Sequence, residues 1–282
     1  MRLLITGGSG YLGRHLAPLA ARGCAVAYTY FAGEPLAQTG LTGFRLDIRD
    51  GAAVAALAAQ WRPHAIIHTA GSNRTPDMAA VIVQGARHVA AAATQVGARL
   101  IHLSSDVVLD GAGGPYTESA ATQPLHAYGQ AKATAETLAQ ATPNHVIVRT
   151  SLIYGLRRMD WSASWMASAL QRGETVTLFT NQWRNPISAK TLSAALLELV
   201  EHPYTGILHL AGRQALTRAE FGLRLLDYWA VRERDTLRLA PDLSGLYPLD
   251  CRLDTTLAGQ LLQTPLPGVD EVLAGEGNEP SG

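Results

Sequence analysis

The chain has 282 residues, 47% of them apolar, with 23 basic and 23 acidic side chains. It is long enough to bury a substantial core, and its balanced, scattered charge excludes the electrostatic footprint of a protein that binds nucleic acid or an anionic membrane. With no run of about 18 apolar residues and no basic-then-apolar leader, the expectation is a soluble, cytoplasmic protein whose partners are small molecules.

Arg2 to Thr6 form a short apolar run, followed by glycines and then by a helical pattern from Tyr11 to Arg22 that closes at Gly23. That order predicts strand, tight turn, helix. A second strand, Ala25 to Tyr30, completes a βαβ unit, and further strands are predicted at Phe44 to Leu46, Ala65 to His68, Leu100 to Leu103 and His145 to Val148. Asp50 is placed to cap a helix running through Val54 and Leu57 to Trp61. A long alanine-rich helix spans about Asp77 to Val96 and stops at Gly97, and another carries Tyr128 and Lys132 towards Ala141. The alternation predicts a parallel sheet. After Gly155 it is lost: a helix from Trp161 to Arg172 and a strand from Glu174 to Leu178 precede a polar turn at Asn185-Pro186. A helix from Ser188 to Glu201, a return strand from Ile207 to Leu210 and a helix from Thr217 to Trp229 follow, with an irregular stretch beyond Ala240. The expected division is a first domain over residues 1–155, completed by a returning segment at 181–212. A small lobe is expected over 156–180 and 213–274, and a flexible tail over 275–282.

Gly7, Gly10 and Gly13 stand directly after the first strand and at the opening of a helix. Glycine is needed where backbone turns sharply and where it approaches a pyrophosphate, and the helix N-terminus offers N–H donors to the anion; dinucleotide binding is therefore predicted, with Tyr11 and Leu12 in the same turn. At the end of the second strand neither an acid for an NAD ribose nor an arginine for a 2′-phosphate is present. Arg14 and Glu34 favour opposite answers, so the cofactor is NADPH or NADH, with the lean towards NADPH. Asp47-Ile48 could hold and cover the adenine, or Asp47 could organise a turn.

Tyr128 and Lys132 are one helical turn apart, so the lysine charge can favour ionisation of a phenol that otherwise titrates near ~10. Ser105 ends the fifth strand, on the side of a parallel sheet where ligands bind. A serine there could hold a carbonyl while the tyrosine moves a proton.

The set Thr6-Gly7-Gly8-Ser9-Gly10-Tyr11-Leu12-Gly13, Leu46-Asp47-Ile48, His102 to Gly111, Pro115 to Glu118, Pro124, Tyr128-Gly129-Gln130-Ala131-Lys132 and Arg149 to Gly155 resembles one family in order and spacing over about residues 1 to 220. That family is the extended short-chain dehydrogenase/reductases, and within it the dTDP-4-dehydrorhamnose reductase branch. The resemblance implies a Rossmann-type, doubly wound α/β sheet with a small C-terminal substrate lobe. It implies that Ser105 is the catalytic hydroxyl, Tyr128 the general acid, and Lys132 the residue that holds the nicotinamide ribose and lowers the tyrosine pKa. Ser104 becomes support beside the cofactor, Thr69-Ala70-Gly71 pass its central riboses, and the Thr150-Ser151-Leu152 backbone lies near its carboxamide. Asp106, Val107, Leu152, Arg184 and Asn185 fall on the substrate side, with Arg184 the better candidate for meeting an anion. The rhamnose-forming reductases carry Tyr at the position of Val107, Trp at that of Leu152 and Asn at that of Ile82, so the sugar could differ.

The activity expected is reduction of a keto group on a nucleotide-activated sugar or a related small carbonyl compound. The alternatives are an epimerase or dehydratase that retains NAD, or a regulatory subunit without turnover, as in the methionine adenosyltransferase β-subunits. Relatives are often dimers, so the resemblance allows a homodimer. Metal is not expected. Cys24 and Cys251 imply neither disulfide nor metal site, and His64 and His68 flank a strand on which i and i+4 lie far apart. Trp161, Trp165 and Met166 read as lobe packing, and Arg157-Arg158 as a solvated turn as readily as a diphosphate contact.

Overall fold

The computed structural model describes residues 1–71 and 75–276. Its centre is a seven-stranded parallel sheet in the order β11-β6-β5-β4-β1-β2-β3. The strands are β1 (Arg2–Thr6), β2 (Ala25–Tyr30), β3 (Leu41–Arg45), β4 (Ala65–His68), β5 (Arg99–Leu103), β6 (His145–Thr150) and β11 (Gly206–Leu210). Leu3, Leu4, Ile5, Ile66, Ile67, Leu100, Ile101, Val146, Ile147 and Val148 are buried. Such continuous apolar runs fit strands covered on both faces by helices. One face is covered by α2 (Gly51–Trp61), α3 (Met78–Val96) and α4 (Ala127–Gln140), the other by α1 (Gly13–Ala20) and α6 (Ala189–Glu201).

Local chemistry sets the helix ends. Asp50 caps α2 by accepting from the Ala53 N–H at 3.0 Å, and Gly97 ends α3 at φ 68°. The first helix begins at Gly13, two residues later than the sequence predicts, because Tyr11 and Leu12 still belong to the turn. The third strand runs over 41–45, with Leu46 just beyond its end.

Between β6 and β11 lie β7 (Ile153–Tyr154), α5 (Trp161–Gln171), β8 (Val176–Phe179), β9 (Trp183–Arg184) and β10 (Ile187–Ser188). After β11 come β12 (Leu216–Thr217), α7 (Arg218–Tyr228), β13 (Leu237–Ala240), α8 (Thr256–Leu261) and α9 (Val269–Glu276). Short ladders β7·β10, β9·β12 and β8·β13 tie these segments together. Two apolar clusters form here: one around Tyr154, Phe221 and Leu225, the other around Met166, Leu170, Val176 and Leu226. The stretch beyond Ala240, expected to be irregular, carries α8 and α9. Ala258 and Leu262 pack into the main core, with α8 against β11, so the segment 213–274 expected to be lobe is shared with the sheet. Trp161 and Trp165 correct a second expectation: they stack on each other at 6.3 Å, 51% and 47% exposed, while Met166 alone of that trio is buried. Of the expected tail, residues 277–282 lie outside the described residues.

Candidate active site

The glycine-rich turn joins β1 to α1 across the C-terminal end of the sheet. Gly7 has φ 73°, and a Cβ there would meet Ala70 Cα at 2.8 Å. The turn after β1 is therefore pressed against the turn after β4, where Thr69 donates its hydroxyl to Thr6 O. A Cβ at Gly13 would lie 2.4 Å from Gly7 O, and one at Gly8 2.5 Å from Tyr28 Cβ. Gly10 is exposed and has only Gly7 O within reach of an added Cβ, at 3.0 Å. This bare, tightly wound backbone at a helix N-terminus fits a dinucleotide pyrophosphate. Arg14 Nε donates to Ser9 O within the turn, and Tyr11 reaches across to donate its hydroxyl to Arg158 O at 3.0 Å. Burial, then the nearby Asp160 carboxylate, hold the Tyr11 phenol protonated.

Asp47 organises its own turn. It accepts from the Arg49 backbone N–H and from the Arg49 guanidinium, whose hydrogen bonds hold the carboxyl below its usual range. Its carboxylate is engaged by arginine rather than left open to a ligand, as the alternative turn reading allowed. Ile48 is buried beside Gly85, where an added Cβ would meet Ile48 Cδ1 at 2.4 Å.

The expected catalytic residues converge beyond β5. Ser105 and Val107 are half-buried around a short 3₁₀ turn, Asp106–Val108, and α4 closes onto this turn because Gly129 carries no side chain: a Cβ there would fall 2.4 Å from Val107 O. His126 caps α4, its Nδ1 accepting from the Gly129 N–H at 3.1 Å; its ring stacks beside Tyr128 at 6.3 Å and meets Tyr247 at 5.6 Å, tilted by 57°. Lys132 is buried, and its ammonium donates to Leu103 O at 2.5 Å. Burial pulls its pKa down to about 8, partly opposed by Glu136 one turn further on. Lys132 therefore remains mostly cationic at neutral pH.

Beneath it a polar row crosses the sheet. Thr6 pairs with His68 and His68 with His102 in register; Thr6 Oγ1 and His68 Nδ1 are 2.6 Å apart, and the two imidazoles lie 5.1 Å centre to centre. Burial and then the Lys132 charge depress His68 to about 3, and the same causes hold His102 well below its ordinary value. His209 is lowered to about 4 by burial and then by Arg149. An unfolded chain protonates these rings near pH 6.5, whereas the folded chain resists until far lower, so below pH 6.5 the unfolded state binds more protons and stability falls with pH. For His68 and His209 together the loss at about pH 5.5 is about 2.5 kcal/mol relative to neutral pH. Urea unfolding at the two pH values checks it.

Several residues expected on the substrate or cofactor side are buried and hydrogen-bonded within the chain. Arg184 is 3% exposed and donates to Trp183 O, Leu249 O and Pro248 O, with its Nε 3.6 Å from Asp106. It is engaged internally rather than open to an anion. Asp106, also buried, accepts from Ser105 Oγ at 3.2 Å and Ser151 Oγ at 2.6 Å, positioning both rather than facing a ligand. Asn185 joins Gly212 O to the Leu253 N–H, and Ser104 donates to Glu136 at 2.5 Å. Their side chains build the walls. Val107 and Leu152 remain half-buried at the site, and Ile82 is buried in a cluster of α3 and α4 against which Tyr128 packs.

Sequence reasoning passed over His126, Tyr247 and Glu136. His126 was detectable from its N-cap spacing to Gly129, and Glu136 from standing one turn after Lys132; Tyr247 reaches the site only through tertiary packing. Among the described residues no metal-binding group is formed and no helix is long and apolar enough to cross a membrane.

Sheet order, glycine turn and the Ser–Tyr–Lys set define a dinucleotide-dependent oxidoreductase. The family model of the RmlD substrate binding domain matches residues 1–250. The chain is 35% identical over 254 residues to the dTDP-4-keto-6-deoxy-D-glucose reductase of Streptomyces niveus, covering 85% of this chain and 84% of that protein. It is 29% identical over 303 aligned positions to methionine adenosyltransferase 2 subunit beta of Xenopus laevis, covering 96% and 87%. Among solved structures, a hypothetical dTDP-4-dehydrorhamnose reductase from Sulfolobus tokodaii superposes with a TM-score of 0.82 at 29% identity, covering 98% of this chain and 99% of that one. The chain belongs to the RmlD family, the dTDP-4-dehydrorhamnose reductase-like branch of the extended short-chain dehydrogenase/reductases, and is an NAD(P)-dependent oxidoreductase.

Proposed function

We propose that the protein reduces the keto group of a nucleotide-activated deoxysugar, with NADPH preferred over NADH. The observation that supports this reading is the closure of α4 onto the Ser105–Val107 turn at Gly129, which brings the helix bearing Tyr128 and Lys132 to the end of β5, where Lys132 donates to Leu103 O. When bound, the nicotinamide supplies hydride. Gly7, Gly10 and Gly13 would hold the pyrophosphate, while Thr69 to Gly71 and the Ser151 backbone would line its path to the site. Ser105 and Tyr128 orient the substrate oxygen, Tyr128 gives it a proton, and Lys132 keeps a positive charge beneath the phenol. Asp106 holds Ser105 and Ser151 in place. The Streptomyces niveus relative supports a 4-keto-6-deoxyhexose on dTDP.

A second reading, a non-catalytic subunit, draws on the Xenopus relative and on Ile82, Val107 and Leu152, which replace polar or aromatic residues of the rhamnose-forming enzymes. Loss of NADPH absorbance on adding dTDP-4-keto-6-deoxyglucose supports the reductase. NADPH binding without oxidation across a panel of 4-keto nucleotide sugars overturns it in favour of the subunit. Stoichiometric NAD that copurifies and does not exchange would overturn it in favour of an epimerase.

A further inference from the structure

The chain from Asp242 to Leu249 is a short loop clamped at both feet. At the first, the Asp242 N–H donates to Asn181 Oδ1 at 2.7 Å, Asn181 Nδ2 donates back to Asp242 O at 2.9 Å, and the buried Gln182 amide donates to the Asp242 carboxylate at 2.6 Å. At the second, the buried Arg184 donates to Pro248 O at 2.8 Å and to Leu249 O at 3.1 Å, and the Trp183 N–H donates to Leu249 O at 2.7 Å. Gly111 lies so close that an added Cβ would meet Pro248 Cβ at 2.4 Å. Between the feet the Ser244 N–H donates to the Asp242 carboxylate at 2.9 Å, and Gly245 turns the chain at φ 68°. What this framework presents to water is apolar: Leu243, Leu246 and Tyr247 are 87%, 63% and 51% exposed. Fixing a backbone costs entropy at every residue held, and apolar side chains left in water return nothing for it.

The place of the loop gives its tip something to cover. The Tyr247 ring meets that of His126 at 5.6 Å, and His126 stacks on Tyr128 at 6.3 Å, so one imidazole separates the aromatic of the loop from the proton donor. Val107 and Leu152, half-buried at the site, are aliphatic, and the rings that meet beside Tyr128 are those of His126 and Tyr247. An aromatic face packs well on the C–H side of a pyranose and on a methyl group, whereas sugar hydroxyls need polar partners. A loop of this size falls far short of the roughly 20–30 residues a side that a stable protein interface takes.

We propose that Tyr247 is a specificity residue whose ring covers the apolar side of the substrate's sugar, including the methyl group that marks a 6-deoxyhexose. The proposal rests on the nucleotide-sugar reading given above. A keto carbon held at Tyr128 brings the rest of its own pyranose ring to the side that His126 and Tyr247 border. The clamps at Asp242 and at Pro248-Leu249 then have a purpose: they hold the ring in place before the sugar arrives, so that binding does not have to order it. Arg184 serves the substrate through this loop.

Tyr247→Ala and Tyr247→Phe test it, with dTDP, dTDP-glucose and dTDP-6-deoxyglucose as calorimetric probes and steady-state kinetics on dTDP-4-keto-6-deoxyglucose. Wild type should bind dTDP-6-deoxyglucose more tightly than dTDP-glucose. Tyr247→Ala should weaken dTDP-6-deoxyglucose binding about 10-fold and close that gap. KM should rise by a similar factor with kcat little changed, because the contact is made alike in the ground and transition states. Affinity for dTDP and for NADPH should not change, and Tyr247→Phe, which keeps the ring, should match wild type. Equal affinity for dTDP-6-deoxyglucose in wild type and Tyr247→Ala overturns the proposal, as does an equal loss with dTDP, which puts the ring at the nucleotide. A smaller mass of Tyr247→Ala by light scattering, with sugar affinity unchanged, overturns it in favour of contact between two copies of the chain. Binding of dTDP-6-deoxyglucose that depends on Tyr247 but brings no turnover of the keto sugar upholds the sugar contact and overturns the reductase reading instead.

Discussion

Tyr128→Phe is expected to lower turnover by about 10²- to 10⁴-fold while leaving the fold and NADPH affinity near wild type. The substitution removes one oxygen and keeps the ring that packs on the α3–α4 cluster and stacks beside His126. The loss should appear in kcat, since the proton is needed as the alkoxide forms, and a smaller rise in KM reports the lost hydrogen bond to the ground-state carbonyl. Stopped-flow measurement of NADPH oxidation separates the two. A variant that turns over at the wild-type rate removes Tyr128 from the mechanism, and with it the function proposed here.

Arg149→Met should cost about 3–5 kcal/mol of stability, with a fall in Tm on the order of 10 °C. Arg149 and Glu136 are both almost fully buried and meet through three hydrogen bonds, Nη2 to Oε2 at 2.9 Å, and Nε to Oε1 at 3.1 Å and to Oε2 at 3.3 Å. Glu136 also accepts from Ser104, and Arg149 donates to Ala120 O. Removing the guanidinium leaves a buried carboxylate with Ser104 and the Lys132 charge as its compensation. The double variant Glu136→Gln/Arg149→Met should recover part of the loss, because two neutral side chains no longer carry a desolvated charge. Chemical denaturation of the three variants checks the order. Because Glu136 is one turn from Lys132, the single variant should also raise the Lys132 pKa, shifting the basic limb of the pH–rate profile upward.

The first half of the fold was legible because each element carries its own punctuation. Asp50 caps as a short polar side chain should, Gly97 stops α3, and continuous apolar runs at Ile66-Ile67 and Leu100-Ile101 announce strands buried on both faces. The helices α8 and α9 are short, at 6 and 8 residues, too brief for an apolar period to stand out against a proline-interrupted stretch. The candidate site was legible where chemistry depends on spacing, as with Tyr128 and Lys132. It was not legible where chemistry depends on which charges meet inside. A motif gives Arg184 a place on the substrate side, yet only the approach of Pro248 and Leu249 carbonyls and of Asp106 makes it an internal strut.

The position of β11 also governs how the chain is made. It pairs with β6 across a gap of more than fifty residues, and α6, which packs against α1, is threaded between the two. A nascent chain holding only the glycine turn and the Tyr128–Lys132 helix has β6 as a bare edge and one face of its sheet unfilled, a state open to strand pairing with other chains. The cofactor-binding half therefore cannot be released as a self-sufficient module or exchanged between relatives by a cut after β6. Recombination that respects the fold must carry residues through Leu210 together with the sheet they close.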